Sequence, residues 1–176
     1  MFTNPLRNLL QFGDITGYHV ADLGSGSGFY TLQAAERVGN TGKVYSIEIQ
    51  KDLLGRIKTE AHNRRLKNIE YIWGDIERAG GTKIADNTIH LAIVSNVLFQ
   101  LENKDAFIKE LSRILRPGGH VLLVDWLDSF QNLGPHKNHI AEESSTRLIF
   151  NKKGFKLKER IDAGEHHYGI IFVHEK

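Results

Sequence analysis

Apolar residues in this chain crowd into short runs of strand length. The clearest are Tyr18–Leu23, Lys43–Glu48, Ile69–Trp73, Ile89–Ser95 and His120–Asp125, each bounded by glycine or by polar turn formers. Ile89–Ser95 is almost unbroken in its hydrophobicity, which predicts a strand covered on both faces. Between the runs the period changes to three and four. Leu32 and Ala35 predict a helix from about Phe29 to Val38, Leu54, Ile57 and Ala61 one over about Lys51–Arg65, and Phe107, Leu111, Ile114 and Leu115 one capped by Asn103 and ended by Arg116-Pro117-Gly118-Gly119. Ahead of the first strand, Asn4-Pro5 reads as a cap and first helical residue. Phe2, Leu6, Leu9 and Leu10 form its apolar stripe, and this helix is expected at the rim of the main site. After the fifth strand, Trp126 to Ile140 has no period, and a loop of that length is usually functional or mobile. A helix over about Ala141–Lys153 and two strands, Phe155–Ile161 and His167–His174, close the chain, with the link Asp162–Glu165 short enough for a hairpin.

Strand and helix alternating in this way predict an α/β fold. The expectation is a Rossmann-like, seven-stranded, mostly parallel sheet with an antiparallel last strand and helices on both faces. The 176 residues fit a single domain, read as an N-terminal helix and linker over 1–16 and a core over 17–176.

Composition narrows the picture by exclusion. Hydrophobic content of 40% and charged content of 25% are those of an ordinary globular protein. No apolar run approaches membrane-spanning length, and Met1–Pro5 lacks the basic flank and apolar core of a signal peptide. Cysteine is absent, which removes disulfides, thiolate metal sites and cysteine nucleophiles and is compatible with a cytoplasmic setting. A net charge of +2 gives no reason to expect nucleic acid, and the basic clusters Arg64-Arg65-Leu66-Lys67 and Lys152-Lys153 fall where helices end, as the helix dipole favours.

The stretch with most chemistry is Asp22-Leu23-Gly24-Ser25-Gly26-Ser27-Gly28. A strand ends in an acid, three glycines alternate, and a helix begins at Phe29. Backbone without Cβ lets a ligand approach the main chain closely, here a flat, adenosine-bearing one lying across the strand end. In open α/β sheets such ligands bind at the carboxyl ends of the strands. Polar residues fall at four such ends: Asp22 and its glycines, Glu48, Asp75 after Gly74, and Ser95-Asn96. A carboxylate at Glu48 suits ribose hydroxyls. Asp75 suits an exocyclic adenine amine, with Ile76 against the ring. A dinucleotide site would need a third glycine where Phe29 stands.

With these residues in view, the chain resembles the class I S-adenosylmethionine-dependent methyltransferases from about Gly17 to Val173. Asp22–Gly28 is similar to the family's first motif, Glu48 to its ribose-binding acid, Asp75-Ile76 to its adenine pair, and Leu115-Arg116-Pro117-Gly118-Gly119 to the turn before strand five. Asp86-Asn87-Thr88-Ile89-His90 and Val124-Asp125-Trp126 resemble the small-molecule branch related to ubiquinone/menaquinone C-methyltransferases. The resemblance implies S-adenosylmethionine as cofactor and S-adenosylhomocysteine as product. Asp22, Gly24, Ser25, Gly26, Gly28, Phe29, Glu48, Ile49, Gly74, Asp75, Ile76, Ser95 and Asn96 are then the expected cofactor contacts. Tyr30, Phe99 and Trp126 are candidate substrate contacts, and Asn96, Asp125 and His136 are catalytic candidates.

Each has a plainer alternative: Asn96 and Phe99 as strand terminator and core filler, Asp125 as a local cap, Tyr30 and Trp126 as packing rings. His136 and His139 are spaced for a shared metal, but nothing in the sequence completes the set, and no metal is expected. Ser95-Asn96-Val97-Leu98-Phe99 lacks the Pro-Pro-aromatic run that amine methyltransferases of DNA or RNA use to hold a flipped base. The absence of cysteine argues against arsenic methylation. The reading is methyl transfer to a small molecule by a monomer or homodimer, with an RNA or protein methyltransferase, a non-catalytic S-adenosylmethionine-binding module and a nicotinamide-dependent oxidoreductase as alternatives.

Overall fold

A computed structural model describes residues 3–130 and 134–175. Phe2, assigned above to the first helical stripe, and positions 131–133 of the loop after the fifth strand lie outside the described residues.

Seven strands form one sheet in the order β3-β2-β1-β4-β5-β7-β6. They are β1 (His19–Leu23), β2 (Lys43–Glu48), β3 (Ile69–Trp73), β4 (Ile89–Ser95), β5 (Leu115–Trp126), β6 (Phe155–Ile161) and β7 (His167–His174). β7 runs antiparallel to both β5 and β6, and the remaining pairs are parallel. The chain begins at the middle of the sheet, works outward to β3, then returns to lay β4 on the other side of β1. Strand order therefore reverses between β1 and β4, where the tips splay apart and leave a crevice.

Helices cover both faces. α1 (Pro5–Phe12), α2 (Phe29–Val38) and α3 (Lys51–Asn63) are followed by α4 (Lys104–Ile114) and α5 (Glu143–Lys152). One core joins Leu9, Tyr30, Ala34 and Val38 to Val20, Leu91 and Val124 of the sheet. The other joins Phe107, Leu111 and Phe150 to Ala92, Leu123 and Phe172. Adjacent strand residues feed opposite faces, so a strand in this position is apolar on both, as β4 is from Leu91 to Val94. Asn4 caps α1 by accepting from the Arg7 N–H at 3.0 Å, and Asn103 caps α4 by accepting from the Ala106 N–H at 3.0 Å.

The fifth strand departs from expectation. It starts at Leu115 rather than His120, with Ile89 paired to Leu115 and Leu91 to His120. Arg116-Pro117-Gly118-Gly119 is therefore a bulge within the strand, opposite His90. Pro117 has no N–H to give to a ladder, so the pairing steps over it and resumes. The unpatterned segment after Trp126 contains a short 3-10 turn, Lys137–His139. A second 3-10 turn, Leu98–Gln100, follows β4 where the sequence showed only a strand end.

α1 is fastened at three points. Asn8 Nδ2 donates to the Tyr30 hydroxyl at 2.6 Å, Gln11 Nε2 to the Asp162 carbonyl at 2.9 Å, and Arg37 Nη2 to the Gly13 carbonyl at 2.9 Å. No helix among the described residues is long and apolar enough to cross a membrane.

Candidate active site

A cavity of about 610 Å³ opens across the tips of β3, β2, β1 and β4. That is within the ~300–1,000 Å³ of small-molecule sites. Its floor is the loop after β1. Gly24, Gly26 and Gly28 all take left-handed φ, at 77°, 52° and 80°, so three peptide planes turn within five residues.

Glu48, buried at the tip of β2, holds this loop. Its Oε2 accepts from the Gly26 N–H at 2.9 Å, and its Oε1 accepts from the N–H groups of Ile49 at 2.9 Å and Gln50 at 3.0 Å. Trp73, next door on β3, donates its indole N–H to the Ile49 carbonyl at 2.9 Å and fixes the same turn from the other side.

Asp22 is buried beneath the loop and accepts from the Thr31 hydroxyl at 2.6 Å. Ser46 lies 3.3 Å from Thr31 and donates to Ser25 at 2.9 Å, extending the polar chain up into the cavity wall. Burial raises the Asp22 carboxyl to about 6 against the pull of its Thr31 hydrogen bonds.

At the β3 end, Asp75 Oδ1 accepts from the Glu77 N–H at 2.9 Å, and Arg78 Nε lies 3.1 Å from Oδ2. Gly74 and Gly81 approach so closely that a Cβ on either would collide with nearby loop backbone. This loop is anchored by Glu110 of α4, which accepts from the N–H of Gly80 at 2.9 Å and of Thr82 at 3.2 Å and pairs with Arg113 at 2.7 Å. Burial alone would raise the Glu110 carboxyl, but Arg113, Thr82 and Gly80 outweigh it and hold it at about 2.

At the β4 end, Asn96 sits at φ 55°, a left-handed conformation that asparagine tolerates better than most residues. Its N–H donates to the Val124 carbonyl at 2.9 Å and its own carbonyl accepts from Gln100 Nε2 at 2.8 Å. The side-chain Oδ1 is buried without a hydrogen-bond partner among the described residues.

The structure brings twelve of the thirteen expected cofactor contacts to this one cavity: Asp22, Gly24, Ser25, Gly26, Phe29, Glu48, Ile49, Gly74, Asp75, Ile76, Ser95 and Asn96 line it, and so does Tyr30. Phe29 and Ile49 stand exposed at the rim.

Five candidates fall elsewhere. Gly28 faces away from the cavity, and a Cβ there would meet Ile57 of α3 at 2.6 Å, so its small size serves helix packing. Asp125 is buried behind the wall, where Oδ2 accepts from the Leu98 N–H at 3.0 Å and Oδ1 from the Trp126 N–H at 2.8 Å. It ties the turn after β4 to β5. Phe99 lies in that turn and does not line the cavity. The Trp126 ring lies tilted against His167, with centroids 4.2 Å apart, and lines a separate depression of about 360 Å³. His136 is exposed ahead of the 3-10 turn.

The sequence reading missed Thr3 and Pro5, which wall the cavity from the N-terminal side, and Gln50, Leu53, Val97, Gln100 and Leu101. The first helix was expected at the rim of the site, where Thr3 and Pro5 place its start, but its amphipathic stripe did not single out these residues.

Comparisons with known proteins agree with this geometry. Residues 15–164 match a family described as a methyltransferase domain. A ubiquinone/menaquinone biosynthesis C-methyltransferase from Pseudoalteromonas translucida is 32% identical over 121 residues, 68% of this chain and 47% of the relative. An arsenite methyltransferase from Halobacterium salinarum is 30% identical over 109 residues, 62% of this chain and 27% of the relative. A solved structure of a SAM-dependent methyltransferase from Aquifex aeolicus superposes with a TM-score of 0.88 at 25% identity, covering 98% of this chain and 90% of that one. This chain belongs to the methyltransferase domain family. It spans less than half the length of the two curated relatives named here.

Proposed function

We propose that this protein transfers a methyl group from S-adenosylmethionine to a small-molecule acceptor. The observation that carries the reading is the order of groups along the cavity. Asp75 and Ile76 stand at the β3 tip, Glu48 at β2, the glycine loop and Asp22 at β1, and Asn96 at β4. Adjacent strands are ~4.8 Å apart, so three steps span ~14 Å, the scale of an adenine, ribose and amino-acid tail laid end to end.

The residues fit such a group. Glu48 keeps one acceptor site, on Oε2, free for a ribose hydroxyl after its three backbone bonds. Asp75 accepts from the adenine amine, and Ile76 and Ile49 bracket the ring. The unpaired Asn96 Oδ1 and the Asp22 carboxylate accept from the tail ammonium. When bound, the cofactor supplies an electrophilic methyl on a sulfonium, whose departure leaves a neutral thioether.

What the protein contributes is alignment. Fixed positioning of two reactants contributes roughly 7–11 kcal/mol. The preset Glu48–Gly26 and Asp22–Thr31 bonds keep the loop from reorganising on binding. Among the described residues, no histidine, lysine or arginine lines the cavity. A side-chain base for the acceptor would therefore be one of the cavity's carboxylates, such as Asp22.

Trivalent arsenic is a soft centre that prefers thiolate ligands, and this chain has no cysteine, so arsenite is not the acceptor we favour. We place the activity in the cytoplasm, in a monomer or homodimer. The test is labelled-methyl transfer from S-adenosylmethionine into pools of small molecules, RNA and protein. Label confined to the small-molecule pool supports the reading. Cofactor binding without release of S-adenosylhomocysteine from any pool replaces it with a non-catalytic binding module.

A further inference from the structure

The acid near the end of β5 does not line the cavity, yet it grips the segment that forms the cavity's β4 wall. Asp125 is fully buried. Its Oδ2 accepts from the Leu98 N–H at 3.0 Å and its Oδ1 from the Trp126 N–H at 2.8 Å, and the Val97 N–H also faces the carboxylate. Among the described residues, Asp125 is the one side chain from another element that hydrogen-bonds the turn 96–101. The turn's other bonds go to backbone or stay within it. Asn96 N–H donates to the Val124 carbonyl at 2.9 Å, Gln100 N–H to the Val97 carbonyl at 2.9 Å, and Gln100 Nε2 to the Asn96 carbonyl at 2.8 Å.

This turn touches the donor loop. Asn96, Val97, Gln100 and Leu101 line the cavity, and Leu98, which Asp125 holds, is buried. Val97 packs on the glycine loop so closely that a Cβ on Gly24 would lie 2.8 Å from Val97 Cγ2. From the other side, the Ile47 carbonyl of β2 accepts from the N–H groups of Gly24 at 3.0 Å and Ser25 at 2.9 Å. Gly24 is therefore clasped between β2 and the turn after β4. The position of that turn sets the position of Val97 against the loop.

Two further features need a restraint here. Asn96 holds a left-handed φ of 55°, a strained conformation that persists only where its surroundings impose it. Its Oδ1, buried without a partner among the described residues, must be aimed to be of use to a ligand. The contacts to Asp125 begin at the very next residue, and bonds from N–H groups to a carboxylate are roughly twice as strong as those to a neutral acceptor.

We propose that Asp125 is a positioning residue for the donor: its carboxylate fixes the turn after β4, and through Val97 and Asn96 it shapes the end of the crevice that takes the amino-acid tail. The proposal rests on the donor-binding reading above. The adenine end, at Asp75 and Ile76, stands three strands away from this turn and is not governed by it.

The test is isothermal titration at a temperature where circular dichroism shows each variant fully folded. The ligands are S-adenosylhomocysteine, which carries the tail, and 5′-methylthioadenosine, which lacks it. Asp125→Asn keeps the side-chain volume but turns an N–H₂ toward backbone N–H groups. It is expected to weaken S-adenosylhomocysteine by about ten-fold and 5′-methylthioadenosine by less than about two-fold. Val97→Ala leaves the carboxylate bonds in place and is expected to give the same selective loss, with the double variant little worse than either single one. Equal losses for the two nucleosides, or full additivity of the two substitutions, overturn the positioning role and leave the donor-binding reading standing. A lowered melting temperature with unchanged affinities does the same, because it confines Asp125 to folding. A wild type that binds neither nucleoside overturns both. If Asp125→Asn fails to fold, Asp125→Glu, which keeps the charge but moves it by one methylene, takes its place with the same expected selectivity.

Discussion

The N–H of Gly26 donates to Glu48 Oε2 over 2.9 Å, from the loop after β1 to the tip of the neighbouring strand. The same carboxylate takes the Ile49 and Gln50 N–H groups on its other oxygen. The glycine-rich loop is thereby locked to a rigid strand end, and the proposed ribose acid, which lines the cavity, keeps one acceptor site on Oε2.

Glu48→Gln therefore tests more than charge. An amide N–H₂ in that place faces backbone N–H donors on either oxygen position, so one of the three bonds becomes a donor–donor contact. Affinity for S-adenosylhomocysteine is expected to fall by roughly 2–3 kcal/mol, the scale of hydrogen bonds to a charged group. Titration calorimetry giving wild-type affinity would remove Glu48 from the site.

Asp22 makes stability depend on pH. Its folded carboxyl titrates near 6 against an ordinary 3.8, so between those values the folded state holds a proton that the unfolded state has released. Stability falls as pH rises through that window and levels off above it, by roughly 3 kcal/mol for a fully buried group. Asp125, also raised to about 6 by burial, acts in the same direction. Asp22→Asn is expected to melt near wild type at about pH 4 and above it at about pH 8, while binding the cofactor product less well. A melting difference that does not change with pH would contradict this.

Gly28 is expected to matter to folding more than to binding. A methyl there overlaps Ile57 and sits on a φ of 80°, together costing about 2–4 kcal/mol. Gly28→Ala should lower the denaturation midpoint, and Ile57→Val in the same chain should recover part of the packing share but none of the backbone share. Full additivity of the two losses in a double-mutant cycle would show that they do not touch.

Glu110 links α4 to the loop carrying Asp75. Because its carboxyl is held at about 2, its contribution is present above the ordinary 4.5 and is lost as pH falls from there toward 2. Glu110→Gln should cost roughly 2–3 kcal/mol of stability by unpairing Arg113 and the Gly80 and Thr82 N–H groups. It should also weaken S-adenosylhomocysteine through the loosened Gly74–Asp75 turn, a few-fold by titration. Unchanged affinity in a destabilised variant would confine Glu110 to folding.

Pattern alone located most of the backbone. β2, β3, β4, β6 and β7 lie where the runs of apolar residues and their glycine or acidic stops place them. The reason is local: period and turn chemistry are properties of neighbours in sequence. β5 was misread at its start, because whether Leu115 and the residues after it form a ladder depends on Ile89, a partner far away in the chain. The cavity was legible only as far as strand tips carry it. Asp22, Glu48 and Asp75 each lie within two residues of a strand's end, and parallel packing gathers strand ends on one side.

Residues that reach the site by packing were out of sight. The stripe of Leu6, Leu9 and Leu10 says that α1 buries a face, but only the docked helix sets Thr3 and Pro5 over the β1–β4 crevice and Asn8 against Tyr30. Likewise Glu110 in Lys109-Glu110-Leu111 has the look of a solvated position, and only the fold returns the Gly80–Thr82 loop to it. Asp125 and Trp126 end a strand just as Asp22 does, yet one is consumed by the backbone N–H of Leu98 and the other by the ring of His167. The order of hydrophobic and polar residues along this chain determined its sheet, its helices and the acids at the strand tips, because those follow from interactions a few residues apart. Which of those tips open onto the cavity, and which helix closes its far end, was decided by contacts between distant segments, whose free energies no single stretch of sequence contains.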